Sequence, residues 1–504
     1  MLSRKLSLFG KVAIIIFLIS ASGVFLVKQA SVQNASAQTV TLPCTVTTTG
    51  NAWDGPISFG LASLTGANYL VIMDTNGTVI DLRSSTSGGY GVAKNIAPGT
   101  ILFEGEPQVD GPSSAPVYAT HIWNINTGST QDFLNVTGEH DVDYDPANNT
   151  FLTLEPYVRT IGNNSCLFDE IVEYDASGNA LWTWDTYNYI PLSEASPLNQ
   201  TSTYNGQTVE DITHANTLLW DYNNGIIYLN LRNTNTFYKI NQTTGNVIWA
   251  CGEFGNFTML GPNGTTVPGF WYGAHDLEQL APDVFSIFNN DYGNVTNPNN
   301  AASQLVEFTL NENTMTASVT WSWTAPTQYY TQFLGANDLL PNGDWLGDFG
   351  SNTHRFPQNS PWNFNDTGAD IIEVNPAGQI VRTISFPSGW LIYRTQLALN
   401  ISTNTLVATP LPTVTPTVTP SPAPSELVSG TPNPSYSSGQ TSPTPLTSSS
   451  PVQTSTATAP VSATPSPASN ASLLTYVAIV IVVIVVIVLA VLVYLRFQRN
   501  KPKT

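Results

Sequence analysis

Three observations in the sequence predict an all-β fold of the β-propeller type. Short runs rich in Val, Ile, Thr, Tyr, Phe and Trp alternate with Asn/Asp/Gly/Pro turns, and no stretch between about residues 40 and 410 carries helical periodicity. One hairpin pattern, an apolar strand, a tight turn and a second apolar strand, recurs six times. The first copy lacks the upstream hairpin that precedes the other five, and a matching segment stands at the far end of the repeat region. Sheets that repeat radially and close through their first and last strands leave only short, protected edges. The expectation is a six-bladed β-propeller over residues 40–409, with blade 1 closed by strands from both ends. A multi-domain β-sandwich is the competing architecture, and it leaves the end-to-end complementation unexplained.

Residues 1–37 read as an export signal. Arg4, Lys5 and Lys11 form a basic start, Val12 to Val27 is almost wholly apolar, and Ala35-Ser36-Ala37 is a small-x-small cleavage pattern. The long gap before that pattern keeps an uncleaved signal anchor as the rival. The recurring hairpins then follow at Tyr69–Leu82, His121–Leu134, Ile171–Trp184, Phe237–Ala250, Leu305–Trp323 and Ile371–Phe386. Their Asn, Asp and Gly turn residues supply the positive φ that tight hairpins need. The partner hairpins are Tyr90–Gly105, His140–Leu154, His214–Arg232, His275–Asn290 and Ala336–Gly350, with Trp390–Ala408 assigned to the first blade. The outer-strand aromatics Trp182, Trp184, Trp249, Trp321 and Trp323 are expected between blades rather than as a ligand platform.

Residues 410–470 are rich in Pro, Ser and Thr and lack the apolar periodicity to bury anything, which predicts an extended stalk. Residues 473–495 form an apolar run long enough to span a bilayer, followed at once by Arg496, Arg499, Lys501 and Lys503. The positive-inside rule makes 496–504 a cytoplasmic tail and places the preceding domain outside a single-pass anchor in the cell membrane. Sequons at Asn76, Asn135, Asn148, Asn163, Asn199, Asn241, Asn256, Asn263, Asn294, Asn365 and Asn400 are glycosylation candidates in such a setting. Cys44, Cys166 and Cys251 predict one disulfide and one leftover thiol, with the pairing open.

Only 10% of the 504 residues are charged, and the net charge is −19. Phosphate binding needs Lys/Arg stripes, so nucleic acid is excluded as a partner. The chemistry is sought instead in the histidines. Innermost strands line the channel of a propeller, and His140, His214 and His275 begin three consecutive ones; Asn337 holds the matching place in the next, where Gly335-Ala-Asn-Asp parallels Gly273-Ala-His-Asp. A repeat position predicts convergence of the three imidazoles. Metal binding and nucleophilic or acid–base catalysis are the two answers such a set allows. Arg232 ends the strand paired with that of His214, and a permanent cation there disfavours a divalent metal and favours an oxyanion. Asn216, two residues after His214, is expected on the same strand face as a neutral donor. Tyr393 and Arg394 open the last innermost strand and are candidate channel residues, whereas His354-Arg355 reads as loop. The alternating Asp141, Asp143 and Asp145 lack the Gly and distal Glu of a calcium loop. No cofactor and no metal are expected.

His214-Ala-Asn216 with Arg232 eighteen residues on, Gly273-Ala-His-Asp, and Leu339-Leu-Pro-Asn-Gly-Asp-Trp-Leu-Gly resemble the PAPS-independent aryl sulfotransferases, exported six-bladed propeller enzymes, over roughly Gly138 to Leu397. The resemblance implies ping-pong transfer of a sulfuryl group from an aryl sulfate to a phenol, without PAPS. It implies His275 as the nucleophile that becomes a sulfohistidine. Arg232, His214 and Asn216 would stabilise the sulfuryl oxygens and the departing phenolate, and His140 would assist proton transfer or binding. A non-catalytic propeller binding a glycan or protein, and a propeller hydrolase or lyase acting on an anionic substrate, are the alternatives.

Overall fold

The computed structural model describes residues 42–63, 65–85, 89–110, 116–190, 201–294, 301–352 and 367–398. The chain divides into two compact units, Met1–Val418 and Thr419–Thr504, and every described residue belongs to the first. The export signal, stalk, apolar run and basic tail read from the sequence lie outside the described residues, as do His354 and Arg355.

The described residues form six predominantly antiparallel sheets, an all-β arrangement consistent with a β-propeller. Sheet I orders Trp390–Leu397, Pro56–Ser63, Asn68–Asp74 and Val79–Ser85. Sheet II runs in chain order through Ala93–Ala97, Thr100–Asp110, Pro116–Asn124 and Ser129–Gly138. Sheet III holds Val142–Asp145, Thr150–Ile161, Asn164–Asp175 and Ala180–Asp185, extended by the hairpin Thr201–Tyr204 with Gln207–Asp211. Sheet IV is Ala215–Asp221, Ile226–Leu231, Thr236–Asn241 and Val247–Gly252. Sheet V is His275–Ala281, Val284–Asn289, Gln304–Asn311 and Thr316–Thr324, edged by Thr258–Leu260. Sheet VI is Ala336–Leu339, Trp345–Asn352, Gly368–Val374 and Ile380–Phe386, edged by Thr45–Thr48.

The recurring hairpins are the third and fourth strands of the six sheets. Their turns form as the residue types dictate. The Asp175 carboxylate accepts from the backbone N–H of Ser177 (2.8 Å) and Asn179 (2.9 Å), and Gly178 follows with φ 84°. A Cβ at Gly178 would meet the Asn135 Cβ at 2.2 Å, so glycine is required twice over. Sheet I differs from expectation in one respect. Only one strand comes from the far end, and Pro56–Ser63 supplies the second place, pairing Trp390–Leu397 on one side and Asn68–Asp74 on the other.

The core consists of the contacts between sheets. Phe237, Trp249, Phe285 and Phe308 join sheets IV and V, and Phe59, Ile371 and Phe386 join VI and I. Four further clusters join III with IV, I with II, II with III and V with VI. Strand alternation builds this ring. In Asn68–Asp74, Leu70 and Ile72 face sheet II while Val71 and Met73 face sheet VI, so one strand is apolar on both faces. The expected disulfide does not form: Cys44, Cys166 and Cys251 are buried, unpaired, and held in three separate clusters.

Phe237 touches Trp249, Trp271, Phe285 and Phe308 with ring centroids 5.5–6.0 Å away. Phe237→Ala is expected to destabilise by about 3–5 kcal/mol, read as a lower denaturant midpoint with an unchanged slope.

Candidate active site

The inner strands begin where the histidines stand, but not all histidines begin them alike. His140 and His214 each sit just before an inner strand in left-handed backbone, with φ 65° and 51°. That conformation is costly for non-glycine residues and marks a constrained place. It brings the two rings edge to face at 5.1 Å, and the Tyr393 ring lies 5.8 Å from His140. In sheet V the positive φ falls one residue later, on Asp276 (51°), so His275 is itself the first strand residue. Its ring is buried, with 2% of the residue exposed, whereas the His140 and His214 side chains keep 22% and 27%.

The imidazoles stand in opposed environments. His275 Nδ1 meets Asn290 Oδ1 at 2.7 Å, and Leu334 N–H donates to its Nε2 at 3.3 Å. Burial, and then the Arg232 cation, push the His275 pKa well below its ordinary value, so the ring is neutral. Burial alone would also lower His140. There the Glu139 carboxylate, 3.1 Å from Nδ1, outweighs it and raises the pKa to about 9. His214 Nδ1 is held by Asp211 Oδ2 at 2.5 Å.

Arg232 follows the second strand of sheet IV in a short 3-10 turn, is 4% exposed, and lies 5.4 Å over the Tyr292 ring. Its backbone N–H donates to the His214 carbonyl (3.1 Å), tying cation and imidazole to one turn. Asn216 lies elsewhere than strand alternation implies. The register shifts between Ala215 and Thr217, and His214 stands outside the strand. The Asn216 Nδ2 donates to the Ala274 carbonyl (2.9 Å) and its Oδ1 accepts from Asn230 (2.7 Å), so this amide holds the backbone just ahead of His275.

Arg394 is a hub. Its Nη1 pairs with Asp141 (3.0 Å), its Nε with Asp276 (3.1 Å), and its Nη2 donates to the Asn216 carbonyl (2.6 Å). It thus links sheet I with the inner strands of IV and V and the residue that opens III. The buried Tyr393 Oη has no hydrogen-bond partner among the described residues. Lys94 binds Asp141 (2.7 Å) and Asp143 (3.2 Å). Farther along the inner strands, burial and the neighbouring Asp276 raise Glu278 to about 8 and push Asp338 well up. Among the described residues no group of three His, Cys, Asp or Glu side chains gathers to hold a metal. A polar cavity of about 550 Å³ beside Asn342, Asp344 and Gln379 touches none of these side chains.

Sequence reasoning passed over Glu139, Asp211 and Asn290. The two acids were legible as neighbours of His140 and His214. Asn290 had a positional signal, because it follows the second strand of sheet V as Arg232 follows that of sheet IV.

The arylsulfotransferase (ASST) family model matches residues 56–394. No curated protein matches the sequence. Similar solved structures include the periplasmic gluconolactonase PpgL of Pseudomonas aeruginosa, at 12% identity and TM-score 0.34, covering 68% of this chain and 99% of that one. A chain of a nidogen/laminin complex matches at 10% identity and TM-score 0.36, covering 68% of this chain and 99% of its own.

Two outcomes test the electrostatics. Glu139→Gln is expected to bring the His140 titration midpoint down from about 9, followed by NMR of the ring. Arg394→Met leaves Asp276 buried without its cation and Asp141 with Lys94 alone, and is expected to cost about 3–5 kcal/mol, measured by chemical denaturation.

Proposed function

The chain belongs to the arylsulfotransferase (ASST) family, and from that premise we propose that it moves a sulfuryl group from an aryl sulfate to a phenol through a sulfohistidine on His275, without PAPS. In this reading the neutral His275 ring attacks sulfur, the S–O bond to the aryl group breaks, and its electron pair leaves on the phenol oxygen. Arg232, desolvated beside His275, holds the sulfuryl oxygens with a permanent charge. The His140 imidazolium gives its proton to the departing phenolate. A second phenol then returns that proton to His140 as its oxygen attacks sulfur, and the S–N bond breaks.

The observation that carries this reading is the opposed tuning of two imidazoles. His275 is neutral, and His140 titrates at about 9, close to a phenol's ordinary value of about 10. An acid–base group matched to phenols serves donor and acceptor equally, which a phenol-to-phenol exchange requires. The His214–Asp211 pair and Tyr393 wall the same site, and Asn216 and Arg394 hold its frame.

The proposal extends to architecture and setting. The six sheets are read as six blades, blade 1 combining Trp390–Leu397 with strands from the start of the domain. An export signal (1–37), a stalk (410–470) and a single span (473–495) would display this domain outside the membrane with the C-terminus inside. Asn76, Asn135, Asn148, Asn163, Asn256 and Asn263 are exposed, as glycan acceptors must be.

With 4-nitrophenyl sulfate and a phenol, the full chain is expected to release nitrophenol and sulfate the second phenol. His275→Ala abolishes both, and Arg232→Lys lowers the rate by about 10²–10³. Sulfate released to water independently of the phenol, or release that survives His275→Ala, sinks the proposal. The transfer rate is also expected to fall as pH rises through about 9, where His140 loses its proton.

A further inference from the structure

We infer that Asn290 is a positioning residue that fixes the tautomer of His275, so that only Nε2 can receive the sulfuryl group. This rests on reading His275 as the carrier.

Asn290 follows the second strand of sheet V and is fully buried. Its Nδ2 donates to two backbone carbonyls, Leu334 (2.9 Å) and Thr331 (3.1 Å). A carbonyl oxygen can only accept, so the NH₂ end must face those two and the oxygen end must face the ring. Oδ1, 2.7 Å from His275 Nδ1, cannot donate, so the proton of the neutral ring sits on Nδ1. The other nitrogen agrees. Leu334 N–H donates to Nε2, which must therefore carry a lone pair. Two partners on different segments assign one tautomer.

The frame around Asn290 is itself held. Thr331 Oγ1 and Ser351 Oγ both donate to the Phe333 carbonyl, at 2.9 and 2.6 Å, and Gly335 N–H donates to the Tyr393 carbonyl at 3.1 Å. Gly335 has φ 118°, and a Cβ there would meet Phe288 at 2.6 Å, so the loop that presents Leu334 admits glycine alone. The Leu334 N–H stands where a sulfuryl oxygen would arrive and can pass its hydrogen bond to that oxygen.

The choice of amide over carboxylate has a chemical meaning. His214 has a carboxylate partner, Asp211, and His275 does not. A carboxylate would favour the imidazolium and remove the lone pair. When Nε2 forms its bond to sulfur, the aryl O–S bond breaks with its electrons on the phenol oxygen, and the ring becomes cationic while keeping its Nδ1 proton. The amide accepts that hydrogen bond without taking the proton. The sulfo-imidazolium therefore stays a good donor for the next phenol.

The test uses the full chain with ¹⁵N-labelled histidine, the His275 signals being assigned by their loss in His275→Ala. The expected result is a protonated Nδ1 and an unprotonated Nε2, and after reaction with 4-nitrophenyl sulfate a sulfo adduct on Nε2 alone, located by the ¹⁵N shifts of the labelled ring. Asn290→Asp is expected to move the acid limb of the transfer rate to higher pH by about one to three units, and Asn290→Leu to mix the two tautomers. A protonated Nε2 in the unaltered protein overturns the inference whether or not either variant folds. So does an unmoved acid limb in a folded Asn290→Asp chain. The expected tautomer in a protein without sulfuryl transfer supports the Asn290 clamp and overturns only the transferase reading.

Discussion

The buried guanidinium of Arg394 is the interaction on which the rest depends. It arrives on Trp390–Leu397, the strand that joins the far end of the domain to sheet I, and its partners Asp141, Asp276 and Asn216 belong to residues opening three other sheets. Those carboxylates also grip backbone. Asp141 accepts from Leu218 N–H (2.9 Å) and Asp276 from Asn337 N–H (2.8 Å), each in the next sheet along. One cation thus neutralises two acids that stitch neighbouring inner strands. Removing it strands the buried Asp276 charge and leaves Asp141 to Lys94 alone. The apolar clusters supply the bulk of the burial between sheets, while these polar links set where each inner strand begins.

That starting point decides the chemistry. The residues bearing imidazoles lie at the strand starts, where backbone conformation rather than strand alternation aims the side chains. A left-handed φ at His140 and His214 turns their rings toward each other, and its absence at His275 lets that ring sink beside Asn290. Burial and charge then divide the labour. The same desolvation that keeps His275 neutral is overcome at His140 chiefly by the adjacent Glu139 carboxylate, with Asp169 and Glu104 adding to it. Asn216 completes the link, because its amide holds the Ala274 carbonyl and so places the residue after it.

Much of this was legible in the sequence, for identifiable reasons. The six outer hairpins announce themselves through turn residues such as those at Asp175–Gly178, where side-chain capping and positive φ are local properties. The repeat position of His140, His214 and His275, and the place of Arg232 beside them, follow from counting. Pro56–Ser63 pairs locally with Asn68–Asp74, but its other partner, Trp390–Leu397, lies about 330 residues on, and no local pattern tells that one strand rather than two comes from the far end. The role of Asn216 was hidden by a register shift that strand periodicity does not foresee. Asn290 and the partners of Arg394 depend on loops and sheets meeting only once the ring is closed.

The acids along the inner strands have a consequence for how an anion can travel. Among the described residues Asp141 pairs with Lys94 and Arg394, Asp143 with Lys94 and Asp276 with Arg394, while burial lifts Glu278 to about 8 and Asp338 well beyond its usual range. Glu278 and Asp338 are held toward their neutral forms, and any acid there that ionises repels negative charge. Arg232 and the His140 imidazolium bring positive charge to the strand starts, beside the carboxylates of Glu139 and Asp211. An anion held at the strand starts is opposed by any acid that ionises farther along the inner strands. In the proposed transfer, that polarity favours anions that enter and leave from the side of the strand starts.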